Sequence, residues 1–97
     1  MGATSVKIES ALLAVPVGHR HLRLAVKTDT GETLVFREAD VAAVVRAYTT
    51  IKTHPQRRAV KLEMAKVDDA KDGYAGEQLI EAAVDAEVEK EITRLLM

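Results

Sequence analysis

Apolar and polar positions alternate with a period of two over the first third of the chain. Across residues 6–15, Ile8, Leu12 and Ala14 share one parity, while Ala11, Leu13 and Val15 hold the other. Apolar character on both sides predicts a central strand covered on both faces. Pro16 and Gly18 punctuate its end. The alternation is cleaner over residues 19–28, where Leu22, Leu24 and Val26 face one way and His21, Arg23, Ala25 and Lys27 the other. Thr28-Asp29-Thr30-Gly31-Glu32 then supplies turn chemistry, with Gly31 suited to a positive φ, and residues 33–37 complete a hairpin.

The period then lengthens. Over residues 38–53, Val41, Val44, Val45, Tyr48 and Ile51 fall within an arc of about 120°, the width of a core-facing helical stripe. Glu38 and Asp40 place negative charge where the helix dipole favours it, and Pro55 closes the helix at His54. Period two returns over residues 58–67, with Val60, Leu62 and Met64 inward and Lys61 and Glu63 outward. The turn-rich run Asp68-Asp69-Ala70-Lys71-Asp72-Gly73 leads into a final helix expected over residues 75–96, about 33 Å long. Its apolar residues Ile80, Val84, Val88 and Ile92 recur every four positions, so the stripe drifts by about 40° per step. A curved helix following a twisted sheet accounts for that drift; a distal half packed on a partner accounts for it equally.

These elements give the order βββαβα. A three-stranded meander followed by a helical crossover brings the fourth strand parallel to the first. The expected architecture is an α+β two-layer sandwich: a four-stranded mixed sheet of order 3-2-1-4 with both helices on one face. Ninety-seven residues suit one domain spanning 1–97. Apolar residue types make up 47% of the chain, but fifteen of them are alanines, so the core is modest. A folded monomer of 10.6 kDa should expose roughly 5,500 Å². With no cysteine, the chain has no disulfide framework, cysteine-based zinc site or thiol nucleophile. No apolar run reaches the length of a membrane span, and the N-terminus lacks a secretory pattern, so a soluble cytoplasmic protein is expected.

Net charge is only −1, yet residues 1–67 carry 11 Lys/Arg against 6 Asp/Glu and residues 68–97 carry 3 against 9. That split suits either a nucleic-acid face or two halves that attract each other within the fold or across a dimer. The acidic C-terminal helix is expected to lie against basic groups of the β-rich portion, with Glu77, Glu81 and Asp85 nearest the sheet. Apolar docking through Ile80, Val84 and Val88 would hold it there.

Catalytic and metal chemistry find few footholds. His19 and His21 stand at i and i+2, but a zinc or nickel site needs a further ligand, for which only His54 and Asp29 offer themselves. Otherwise they are polar residues at a strand entrance. Read from Asp68 as a calcium loop, the acidic run has Ala70 at the third position and Leu79 at the twelfth, where oxygen ligands are required. Ser5 and Ser10 lie in no nucleophile motif, and no phosphate-cradling glycine pattern occurs. No cofactor is expected.

Two surfaces stand out instead. The outer sheet face is expected to carry Arg23, Lys27, Arg37 and Lys61, with Arg57 and Arg58 at its rim, a basic patch suited to phosphates. The aromatic platforms that single-strand readers use are scarce: Phe36, Tyr48 and Tyr74 are the only aromatics, the first two expected in the core. The same face holds Ala11, Leu13, Val15, Ala25, Val35, Ala59 and Ala65, and the chain ends on Leu95-Leu96-Met97. A semi-apolar patch of this kind suits a protein contact. The expected function is a non-enzymatic interaction domain that binds itself or another protein through Leu13, Val15, Val35, Leu95 and Leu96. The alternative is nucleic-acid binding through the basic face. A further alternative is an enzyme without a recognisable motif, its site where Asp68 and Asp72 meet the sheet edge.

Overall fold

The computed structural model describes residues 3–66 and 76–97. The chain is α+β, with seven elements among the described residues: β1 (Ile8–Ala14), β2 (Arg23–Thr28), β3 (Thr33–Arg37), α1 (Glu38–Thr53), β4 (Lys61–Lys66), β5 (Glu77–Ala82) and α2 (Ala86–Leu96). The strands form two antiparallel sheets, β1-β2-β3 and β4-β5. The observed order is therefore βββαββα. In place of a single mixed sheet of order 3-2-1-4, β4 takes β5 as its antiparallel neighbour and makes no ladder with β1.

The β2–β3 hairpin follows its turn chemistry. Gly31 adopts φ of 90°, its N–H donates to the Thr28 carbonyl at 3.1 Å, and the Thr28 N–H donates to the Glu32 carbonyl at 2.9 Å. Thr28 is buried, its hydroxyl 2.7 Å from that of Thr30. Against β2, β1 carries a register shift between Ile8 and Ser10, beyond which Leu12 lies opposite Ala25 and Leu13 opposite Leu24. Because opposed residues share a face, Leu13 belongs with Leu24 and Phe36, the side that also holds Val26. This corrects the expected outer face by one residue of β1: Leu12 and Ala14, in place of Ala11 and Leu13, stand beside Ala25 and Val35. Val15 lies just beyond the strand and is exposed.

Helix α1 has the bounds its periodicity predicts, and its end is marked by the His54 N–H donating to the Thr50 carbonyl at 3.1 Å. Its orientation differs from the expected one. The buried face runs through Ala43, with Ala47 and Thr50 half-buried, and these residues line a cavity of about 210 Å³ with Val60, Leu62 and Leu79. Val44, Val45 and Tyr48, expected in the core, are 57%, 55% and 64% exposed. Alanine at the contact lets the helix backbone approach the strands closely, and in a single copy the larger stripe is turned roughly a third of a turn away.

The expected helix over residues 75–96 is divided. Glu77–Ala82 forms β5, paired with β4 from Lys61↔Ala82 to Lys66↔Glu77. Glu-Gln-Leu-Ile-Glu-Ala has strong helical propensity, but pairing with β4 overrides it. Helix α2 starts afresh at Asp85, whose carboxylate accepts from the Glu87 and Val88 N–H groups at 3.0 and 3.1 Å. The four-residue drift thus arises because only Val88 and Ile92 of the stripe lie on this helix. Lys61, opposite in strand parity to Leu62, reaches α2 through Glu91, whereas Leu62 and Leu79 line the α1 cavity. With the strands divided between two sheets, the expected single sheet carrying both helices on one face is not formed. The acidic run tested above as a calcium loop, with Asp68, Ala70, Asp72 and Gly73, lies outside the described residues, as does Tyr74.

Candidate interaction surface

Among the described residues, only Val26 and Ala43 are buried apolar side chains. The chain exposes 8041 Å², roughly 2,500 Å² above the area scaling for a monomer of this mass. Its radius of gyration is 15.6 Å, against about 12.5 Å for a compact chain of this length. Large apolar side chains account for much of that surface, including Leu12, Val35, Val44, Val45, Tyr48, Leu96 and Met97.

One open surface is the sheet face on which Leu12, Ala25 and Val35 form a cross-strand row, Leu12 and Val35 each 66% exposed. Lys27 lies one row to one side and Arg23 and Arg37 one row to the other. Three of the four expected phosphate contacts thus share a face. Lys61 does not: it lies on the second sheet, paired with Glu91 at 2.7 Å. Arg37 is also engaged, through Asp40 at 3.1 Å and the Glu77 carbonyl at 3.4 Å. Hydrogen bonding to Asp40 holds the Arg37 guanidinium above its ordinary pKa, and hydrogen bonding to Glu91 does the same for Lys61.

The second open surface is the valine–tyrosine stripe of α1. The third is the end of α2, where Leu95 and Leu96 border a groove of about 270 Å³ together with Ile51, Val60, Val88 and Ile92. Leu96 and Met97 project beyond it, strongly exposed.

The opposed charges of the two halves meet inside the chain. Arg57 pairs with Glu81, Arg58 with Glu89 at 2.9 Å, and Lys61 with Glu91. Acidic residues therefore lie against basic ones, but the arrangement differs from the expected one. Glu77 and Glu81 are themselves in β5, Glu89 and Glu91 make the inter-element pairs, and Asp85 caps α2. Val84 sits between β5 and α2 and is 40% exposed, so the docking assigned to it falls instead to Val88 and Ile92. The cleft around these pairs, about 360 Å³, is lined by Gln56, Arg57, Arg58, Glu81, Val84 and Glu89 among others. Its charged groups neutralise one another, and its lining includes no serine, threonine or histidine.

His19 and His21 diverge in role. The strand expected from residue 19 begins only at Arg23. His19 closes a turn by donating its N–H to the Pro16 carbonyl at 2.9 Å, with Gly18 at φ of 84°. The His21 Nδ1 lies 2.9 Å from a Glu38 carboxylate oxygen at the start of α1. Among the described residues, no three His, Asp or Glu side chains converge on a metal position, and no helix is long and apolar enough to cross a membrane. Compared with known protein families, curated proteins and solved structures, this chain matches none.

Proposed function

We propose that this chain is a cytoplasmic, non-enzymatic interaction module whose working form is a self-assembly. The observation that carries the reading is the shortage of burial: two buried apolar side chains among the described residues and 8041 Å² of exposed surface. Obligate interfaces bury up to about 2,500 Å² per partner, the size of the surplus seen here. A net charge of −1 leaves no long-range repulsion between copies. Leu12, Val35, Leu95 and Leu96 join the α1 stripe as the surfaces available for such contacts, whereas Leu13 takes the opposite sheet face. Light scattering on the purified chain tests the reading. A mass of two or more chains at micromolar concentration supports it, and a monomer at high micromolar concentration refutes it.

Nucleic-acid binding is the weaker reading. Arg23, Lys27 and Arg37 share a face, but Arg37 and Lys61 already hold carboxylates. Titration with mixed-sequence single strands at low ionic strength separates the two readings, since phosphate-driven affinity falls steeply with salt.

A further inference from the structure

We infer that the exposed stripe of α1 is the seat of a two-fold contact, in which the helices of two copies pack antiparallel. This rests on the self-assembly proposed above and names the surface that mediates it. Val41, Val44, Val45, Tyr48 and Ile51 follow the i, i+3, i+4, i+7 spacing of a helix-packing seam. The three central side chains are more than half exposed, while the same helix already uses its Ala43 side within the chain.

Charge fixes both the occupant and the direction. The first turn of α1 is acidic, with Glu38 and Asp40, and the last turn is basic, with Lys52. A second copy running antiparallel sets Val44 opposite Tyr48 and Val41 opposite Ile51, which brings Lys52 alongside the acidic first turn of its partner, Glu38 and Asp40, at both ends of the seam. Lys52 makes no ion pair among the described residues, so it reaches that turn without leaving a carboxylate of its own and adds a cation to Glu38 and Asp40, which His21 and Arg37 already contact. The antiparallel arrangement also opposes the helix dipoles favourably, whereas a parallel one sets Glu38 against Glu38.

The open sheet face lacks this complementarity. Its apolar row has basic residues on both flanks, Lys27 on one and Arg23 and Arg37 on the other, so stacking it on its own copy brings like charges together.

The experiment uses the full chain. Val44→Asp combined with Tyr48→Asp changes only exposed side chains, so helical circular dichroism should persist while the dimer dissociation constant rises at least ~100-fold. Lys52→Glu should weaken the dimer about threefold at low salt, and adding Glu38→Lys should restore it. The chain has no cysteine, so Val45→Cys provides a clean second reading. Position 45 lies close to the two-fold axis, and mild oxidation should give a disulfide-linked dimer. If Val44→Asp/Tyr48→Asp does not fold, the Val45→Cys cross-link decides. A wild-type assembly that survives Val44→Asp/Tyr48→Asp, or that gives no cross-link at position 45, overturns this contact and leaves self-assembly standing. A monomeric wild-type chain overturns both.

Discussion

Helix α1 has two faces that the chain treats in opposite ways. On one, Ala43 is only 4% exposed and Ala47 is half-buried; on the other, Val44, Val45 and Tyr48 stand in water. Burying a valine or a larger apolar side chain contributes about 1.5–3 kcal/mol. A single copy therefore secures the smaller gain and leaves the larger one unused. The lesson is that α1 packs within the chain through its small residues and leaves its larger apolar residues exposed, the surface on which the proposed self-contact rests.

Substitution sharpens this contrast. Ala43→Asp places a carboxylate at a buried position and should cost at least about 3 kcal/mol, or abolish the cooperative urea transition followed by circular dichroism. Val44→Asp, one residue on, should change the stability of the isolated chain by less than about 0.5 kcal/mol. Equal damage from the two would remove the distinction between the faces.

A smaller effect tests the division of the C-terminal portion. Asp85→Ala removes the side chain that caps α2 and should cost about 1 kcal/mol in urea denaturation. Were residues 75–96 one continuous helix, the same change would stabilise it slightly, because alanine is the better interior residue. The sign of the effect therefore distinguishes strand-plus-helix from a single helix.

The smallest effect concerns the pair that links β4 to α2. Hydrogen bonding to Glu91 raises the pKa of Lys61 in spite of desolvation, with Glu63 adding to the attraction. A raised folded value means that the pair's contribution is complete below the unfolded lysine pKa of about 10.4 and fades as pH rises through the folded value. The difference in urea midpoint between wild type and Lys61→Gln should shrink over that alkaline window and stay constant from neutral pH up to it.

The sequence pattern located local elements well wherever the signal was itself local. Gly31 in a Thr-Asp-Thr-Gly-Glu turn and Pro55 after His54 mark boundaries by backbone sterics, and the β2–β3 hairpin and α1 sit where these residues put them. Long-range pairing left no such mark. Nothing in residues 77–82 announces β4 as a neighbour, and their composition favours a helix until that neighbour is supplied. Asp85 was the one local sign of a new start: an N-cap followed by acidic Glu87 and Glu89. The face of β1 was misplaced for a related reason, since the register shift between Ile8 and Ser10 depends on β2. For α1, the apolar arc was expected to face the core, yet Val44, Val45 and Tyr48 are exposed and Ala43 is buried instead, because period alone does not say which side of a helix the rest of the chain covers.

Sedimentation equilibrium of the wild-type chain, from low to high micromolar loading, puts the incomplete core to its most direct test. The expected result is a reversible association to at least twice the 10.6 kDa chain mass. A single species of 10.6 kDa across the whole range, with a cooperative unfolding transition, would show that this chain is stable with its valines and tyrosine in water, and would contradict the account.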